Sequence, residues 1–181
     1  DPNQLVQFSS AHEMYDHTIT VEESLKDGDK TYITADIAFE SDKCIITVWS
    51  GLDVISIVNH DKDKKPEDVV LELAAKYRVQ ASNIIYDATG AGLYLKNYLR
   101  GAYAFHSGGS PIKAKGEFEH LKTQTYYKLA TLINTGVVRV LDDTLKSELI
   151  AEVTQIKTLP KEKLDGKIKM IKKDEIKRNI G

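Results

Sequence analysis

The chain contains a single cysteine, Cys44, among 181 residues. One thiol cannot form a disulfide within the chain, and it cannot build the cluster of thiolates that holds a structural zinc ion. A chain without internal disulfides is typical of a reducing compartment. Because Cys44 opens the apolar run Ile45–Trp49, we interpret it as a small apolar strand residue.

Long apolar runs are also lacking. No stretch approaches the roughly 18 apolar residues of a membrane helix, and the polar N-terminus lacks the apolar segment of a secretory signal. We therefore expect no membrane partner. Hydrophobic residues make up 41% of the chain and charged residues 29%, which are ordinary values for a globular protein. The length predicts one domain with one sizeable core.

The ends of the chain suggest that it is a piece of a longer protein. It begins at Asp1, its first methionine is Met14, and it stops at Gly181 after a charged stretch. We expect the chain to be a domain of a larger polypeptide, with its C-terminal end truncated.

Charge is unevenly distributed along the chain. Residues 1–60 carry 11 acidic and 3 basic side chains, whereas residues 61–181 carry 16 acidic and 22 basic ones. The stretch Lys161–Arg178 holds eight basic residues and four acidic ones. Such a basic segment can attract a phosphate backbone towards an acidic centre. A solvated lysine-rich surface is the alternative interpretation.

Two apolar runs each end in an aspartate that we expect to be buried. Residues 31–35 lead to Asp36, and residues 83–86 lead to Asp87, which Gly90 and Gly92 follow. The β-branched and aromatic residues before each aspartate predict strands. Two such carboxylates side by side would repel by about 4 kcal/mol at a separation of about 4 Å, and a divalent metal would remove that penalty. Each aspartate could instead cap a helix or form a turn.

The order of the predicted elements indicates the fold class. Residues 1–30 are polar and are predicted to be an irregular linker or embellishment. The short connections among the first three strands predict an antiparallel meander, and the helix that follows makes the fourth strand parallel to the first. This is an α/β fold of the ribonuclease H type over residues 31–181, with a mixed central sheet (three antiparallel strands, then parallel strands) flanked by helices. The predicted strands are 31–37, 43–50, 53–60, 83–87, 102–105, 137–140 and 167–171, and the predicted helices are 66–77, 90–100 (or a glycine-opened turn), 118–134, 142–157 and 173–180.

The residues around both aspartates resemble the nuclease domain of the large terminase subunit of tailed phages or prophages. The resemblance is carried by Tyr32–Ala38, Ile84–Gly92 and the strand-then-helix tail Gly166–Arg178. It implies an endodeoxyribonuclease that cuts concatemeric double-stranded DNA with two Mg²⁺ or Mn²⁺ ions, in the cytoplasm of a bacterial host cell. It also implies, as partners, a packaging ATPase domain of the same polypeptide, the portal and the small terminase subunit. No Walker A sequence occurs in the chain, so that ATPase is expected outside it.

The resemblance also assigns roles to residues. Asp36 and Asp87 match the first two catalytic acids and metal ligands of the family. The family's third acid is expected beyond Gly181. Lys173 resembles a basic residue that contacts phosphate, and the DNA-binding lysines expected beside it are Lys172, Lys169 and Lys167.

Several other residues remain open as candidates. His106 and His120 could be ligands or bases, although each alone is more simply a surface histidine. The missing acid could be supplied by Asp142, Asp143 or Asp165, which helix capping or a turn explains more simply. The remaining candidates are Tyr126 and Tyr127 as stacking platforms for bases, and Gly90 and Gly92 as a phosphate cradle.

Three other functions are compatible with these residues. One is a nuclease that resembles Holliday-junction resolvases on the same fold, and another is a module that binds DNA or a protein partner without catalysis. The third is half of an actin-like ATPase, in which the turn after Asp87 would meet phosphate.

Overall fold

The computed structural model describes residues 1–27, 30–38, 43–60, 63–114, 116–159, 166–172, 175–176 and 178. The strands are β1 (Thr31–Asp36), β2 (Ile45–Ser50), β3 (Asp53–Asn59), β4 (Ile84–Asp87), β5 (Tyr103–Phe105) and β6 (Arg139–Val140). The helices are α1 (Phe8–Glu13), α2 (Val21–Lys26), α3 (Pro66–Tyr77), α4 (Leu121–Asn134) and α5 (Lys146–Thr154). Two 3₁₀ segments, Ala81–Asn83 and Gly90–Asn97, flank β4.

The six strands form one mixed sheet in the order β5-β4-β1-β2-β3-β6. β1, β2 and β3 are antiparallel neighbours, and β4 and β5 run parallel to β1. The parallel pairing of β1 with β4 requires a crossover, which α3 provides. The predicted ribonuclease H-like fold class is therefore confirmed, including three antiparallel strands followed by parallel ones.

The sheet has an apolar core because its strands alternate buried and partly exposed residues. Ile33 of β1 and Ile46 and Val48 of β2 have no exposed surface, and Val70 of α3 joins them in the same cluster. Burial of each such side chain stabilises the fold by roughly 1.5–3 kcal/mol. The helix α3 begins with Pro66 at its first turn, as the sequence predicts, and this proline costs no helical hydrogen bond there.

The chain divides into two compact units. The sheet unit comprises Thr18–Ser107 and Val140–Thr144, and the helical unit comprises Asp1–His17, Gly108–Arg139 and Leu145–Gly181. In the helical unit, α1 packs against α4 and α5. The length of the chain suggested one core, whereas contacts cluster in two units. Among the described helices, none has both the length and the hydropathy to cross a lipid bilayer.

The prediction that residues 1–30 are irregular is wrong, because they contain α1 and α2. Val6 and Ala11 around α1 are fully buried. The helix α2 begins with a capping box, in which the Thr20 hydroxyl accepts from the Glu23 amide and the Glu23 carboxylate accepts from the Thr20 amide. The sequence Thr20-x-x-Glu23 carries this signal. Whether the segment serves as a linker in a longer protein stays a prediction.

Two further expectations near the C-terminus are wrong. No aspartate caps α5, whose N-cap is Leu145. Residues 167–171 do not form a strand, because their pairing is limited to isolated bridges at Ile168 and Met170. Of the helix predicted over 173–180, the described residues 175, 176 and 178 are helical.

Candidate functional site

Asp36 and Asp87 end two neighbouring parallel strands. The strand register pairs Ala35 of β1 with Tyr86 of β4, so the two aspartates are the next residues on each strand. Neighbouring strands lie about 4.8 Å apart. Residues at matching positions of a parallel pair point to the same face, so both carboxylates lie on one face of the sheet at its carboxyl edge. The fold therefore places Asp36 and Asp87 side by side at strand ends, as the sequence predicted.

The prediction that these aspartates are buried is wrong. Asp36 is exposed and Asp87 is partly buried, whereas the preceding residues Ala35 and Tyr86 are buried. The reason is the two-residue alternation of a strand, which turns each aspartate away from the face of its buried neighbour. Solvent screens the repulsion between the two carboxylates, so the pair can persist without the large penalty expected of buried charges.

The backbone after Asp87 turns sharply. The amide of Thr89 donates to Asp87 Oδ1 at 2.8 Å, and Gly90 has a φ of +60°. The Thr89 hydroxyl lies 3.2 Å from that of Ser107, which follows β5. Asp87 therefore forms a turn, as one of the two interpretations of its sequence predicted. The same residue also ends β4, where the other interpretation predicted a carboxylate beside Asp36.

Cys44 is a neighbour of Asp36 that sequence patterning did not connect to the site. Burial raises the pKa of its thiol, a hydrogen bond with the Ala38 backbone lowers it, and the negative charge of Asp36 raises it again. The net pKa is raised, so the thiol stays protonated at neutral pH. This fits a small buried residue rather than a reactive thiolate, although Cys44 directly precedes β2 and is not part of the strand.

Of the two candidate histidines, only His106 lies in the sheet unit. It directly follows Phe105, which pairs with Asp87, so it continues β5 beyond the sheet edge that holds Asp87. His106 is exposed. His120 precedes α4 in the helical unit, where its Nε2 lies 3.9 Å from Glu119 Oε1.

The aspartates proposed as substitutes for the third acid do not join the pair in the described structure. Asp142 follows β6, and its Oδ2 accepts from the Ile57 amide of β3. Because β2 and β3 separate β6 from β1, Asp142 is about 14 Å away across three strand spacings of about 4.8 Å. Asp143 is exposed beside it. Asp165 lies outside the described residues.

The predicted DNA-binding lysines belong to the helical unit. Lys167 and Lys172 are exposed, whereas the Lys169 ammonium lies 3.9 Å from Glu119 Oε1. Lys173 lies outside the described residues. The roles of these lysines stay predictions.

The tyrosine pair lies on α4. The Tyr127 ring packs on Phe118 with the ring centroids 5.5 Å apart, and the Lys122 ammonium lies 5.8 Å from the centroid of the Tyr126 ring. Tyr127 contacts Phe118 but is 40% exposed, so it is not a core residue, and Tyr126 is partly buried.

The donor set suits a hard divalent cation. Asp36 and Asp87 offer carboxylate oxygens, the ligands that Mg²⁺ and Mn²⁺ prefer, and Asp36 is exposed to solvent. In the ranges that the structure describes, no three side chains among His, Cys, Asp and Glu come together as a metal cluster. Among the described residues, the candidate ligands are therefore this pair alone.

Comparisons with solved structures identify the fold. The chain resembles the nuclease domain of the large terminase subunit gp2 of bacterial virus Sf6, with a TM-score of 0.76 and 18% identity over 98% of this chain and 92% of that one. The chain has the fold of the phage large-terminase nucleases. The corresponding nuclease of thermophilic phage G20c matches with a TM-score of 0.57 and 18% identity, over 98% of this chain and 95% of that one.

Metal ions accompany some of these relatives. A K428A mutant of the Sf6 domain was solved with manganese, and it matches with a TM-score of 0.76 and 15% identity over 97% of this chain and 91% of that one. No protein-family model matches the chain, and no curated protein matches it. The resemblance seen in the sequence is confirmed at the level of the fold.

Proposed function

We propose that the chain is the metal-dependent endonuclease domain of a phage large terminase subunit. The observation that carries the proposal is the pairing of Asp36 and Asp87 at the ends of adjacent parallel strands, within a fold shared with phage terminase nucleases. Substrate, partners and place of action follow the same resemblance: concatemeric double-stranded DNA, a packaging ATPase domain of the same polypeptide with the portal and small subunit, and the host cytoplasm.

Asp36 and Asp87 are the proposed metal ligands. Asp36 at the end of β1 and Asp87 at the end of β4 would hold the ions, with Asp36 the more exposed of the two. The chemistry that bound Mg²⁺ or Mn²⁺ supplies is Lewis acidity, which favours ionisation of the attacking water and offsets charge on the phosphate and the leaving 3′ oxygen. The two aspartates would orient that chemistry on the open face of the sheet.

The backbone around the pair would keep the ligands in place. The Thr89 amide holds one oxygen of Asp87 at 2.8 Å, which restricts rotation of the carboxylate. DNA contacts would be made mainly to phosphates, so cleavage would depend weakly on sequence and strongly on salt.

The test is plasmid cleavage. We expect the chain to nick or linearise supercoiled plasmid with Mn²⁺, and chelation with EDTA to abolish the reaction. Asp36→Asn and Asp87→Asn keep the size of each side chain and remove its charge. Each should lower the rate by about 100-fold or more, because loss of a ligand should cost at least as much as loss of a partner that orients a ligand, which costs about 10–100-fold. Asp143→Asn is the matched control, because Asp143 is exposed and is separated from the pair.

Three outcomes would contradict the proposal. Equal cleavage by the parent and by Asp36→Asn would place the activity elsewhere or in a contaminant. DNA binding without cleavage, in a chain extended by about 25 residues past Gly181, would favour a binding module. Faster cleavage of four-way junctions than of linear duplex would favour the resolvase-like alternative.

A further inference from the structure

The Gly90–Asn97 segment touches the backbone of Asp87 directly. A Cβ atom added to Gly92 would lie 1.8 Å from the Asp87 carbonyl oxygen and 3.0 Å from its carbonyl carbon. Atoms do not approach that closely, so any side chain at this position would displace either the segment or Asp87. The contact is therefore possible only with glycine, and it couples the position of the segment to that of Asp87.

The same segment is fixed at a second point by a hydrogen bond. The Tyr94 hydroxyl donates to Glu67 Oε2 at 2.9 Å. Glu67 lies in the first turn of α3 and is only 5% exposed, so its carboxylate depends on such a partner to offset its desolvation. Burial and the Glu67 carboxylate raise the pKa of Tyr94, so its hydroxyl keeps the proton that it donates.

Packing completes the attachment of the segment to the sheet unit. Leu95 is fully buried in the core that also contains Ile33 and Tyr86. The segment is thus fixed on one side by core burial and by the hydroxyl of Tyr94, and it touches Asp87 on the other through Gly92. Neither Tyr94 nor Glu67 is among the residues that the sequence patterns indicated for metal binding.

We propose that Tyr94 and Glu67 are positioning residues for Asp87: their hydrogen bond holds the Gly90–Asn97 segment against the Asp87 carbonyl and so fixes the carboxylate where it meets a divalent cation. This inference rests on the proposed metal site at Asp36 and Asp87. In this proposal neither residue is a ligand of the cation. Their effect is on its affinity, through the backbone of Asp87.

The test is Mn²⁺ affinity measured without turnover. Titration of ¹⁵N-labelled chain with Mn²⁺ should broaden the amide signals around Asp36 and Asp87 by paramagnetic relaxation. Tyr94→Phe removes the hydroxyl and keeps the ring, and it should weaken Mn²⁺ binding by about 10-fold, as loss of outer partners of metal ligands does. Tyr98→Phe is the matched control, since Tyr98 lies just after the same segment, packs edge-on against Tyr94, and is 54% exposed.

A conservative variant separates positioning from folding. Glu67→Gln retains an oxygen acceptor for the Tyr94 hydroxyl and should keep Mn²⁺ affinity within about 3-fold of the parent, whereas Glu67→Ala should match Tyr94→Phe. Thermal unfolding is recorded for each variant. A purely structural role would lower the melting temperature of Tyr94→Phe and leave the Mn²⁺ affinity of its folded fraction unchanged, and that result would overturn the inference.

The failure of the metal site itself would look different. A parent chain without broadening near Asp36 and Asp87 would overturn the proposed site and this inference together. If the parent binds Mn²⁺ and Tyr94→Phe binds it with equal affinity, the inference about Tyr94 is overturned while the proposed metal site stands.

Discussion

Asp142 has a structural role in the fold, although its sequence position made it a candidate for the missing third acid of the metal site. Its Oδ2 accepts from the Ile57 amide at 2.7 Å, and its Oδ1 accepts from the Thr144 amide at 2.8 Å and from the Thr144 hydroxyl. Burial raises the pKa of Asp142, but the hydrogen bonds from Thr144 and Ile57 outweigh it, and the net pKa is lowered. The ionised carboxylate therefore joins β3 to the chain that follows β6.

We expect Asp142→Asn to destabilise the protein by about 1–3 kcal/mol near neutral pH, because the amide replaces a charged acceptor. A lowered folded-state pKa adds stability above the ordinary value of Asp, and this stability is lost as the pH falls through the folded pKa. The difference in unfolding free energy between parent and variant should therefore shrink on acidification. Urea unfolding at about pH 7 and at about pH 3 measures it.

The neighbouring Asp143 provides the control. It is exposed, so Asp143→Asn should change the unfolding free energy by less than about 0.5 kcal/mol at either pH. If the difference in unfolding free energy between the parent and Asp142→Asn is the same at both pH values, the ionised carboxylate of Asp142 is not the source of the stabilisation.

Among the elements, α4 shows how a helix end is set by one backbone conformation. The helix ends at Asn134, and Gly136 follows with a φ of +74°, its amide donating to the Ile133 carbonyl at 3.0 Å. Nothing lies within 4 Å of the position where a Cβ would be added. A glycine shortly after the last helical residue is a common signal of a helix C-terminus, and the left-handed backbone of Gly136 shows why glycine suits this position.

We expect Gly136→Ala to destabilise the protein by roughly 1–2 kcal/mol, since the cost comes only from placing an L side chain at positive φ. Gly108→Ala is matched to it, because Gly108 also faces open space but lies outside the left-handed region. That control should be neutral or slightly stabilising. Chemical denaturation of both variants decides the point, and equal effects would show that the backbone conformation is not the cause.

At the scale of the whole molecule, charge is divided along the chain. The acidic first third contains β1 with Asp36, and the basic C-terminal stretch contains Lys167, Lys169 and Lys172. Lys169 has an acidic neighbour in Glu119 at 3.9 Å, whereas Lys167 and Lys172 are exposed. Exposed lysines contribute to DNA binding through phosphate contacts and counterion release, a contribution that does not depend on base sequence.

We expect the double variant Lys167→Gln/Lys172→Gln to bind duplex DNA more weakly and with a smaller salt dependence than the parent. The slope of log affinity against log salt should fall by about 1 for each lysine that no longer neutralises a phosphate. Lys169→Gln should change it less, because Lys169 is partly neutralised by Glu119. Fluorescence anisotropy in EDTA at several salt concentrations measures the slopes, and an unchanged slope in the double variant would contradict a role for these lysines.

The sequence by itself determined the β-β-β-α-β order, the start of α3 and the end of β4 at Asp87, whereas β1 ends one residue before the predicted residue 37. These features depend on local patterns: alternation of apolar residues, Pro66 at a first helical turn, and short connections that permit only antiparallel neighbours. The pairing of Asp36 with Asp87 followed from the same patterns, because a crossover helix makes the two strands parallel.

The tertiary structure alone decided that the side of the sheet that carries the two aspartates is left uncovered at Asp36, how contacts group into two units, and which contacts Cys44, Glu67 and Tyr94 make. Glu67 and Tyr94 lie 27 positions apart in the sequence, and no periodic pattern relates them. Burial and partner choice depend on which distant segments pack together. That information belongs to the folded arrangement of the elements and not to any one of them.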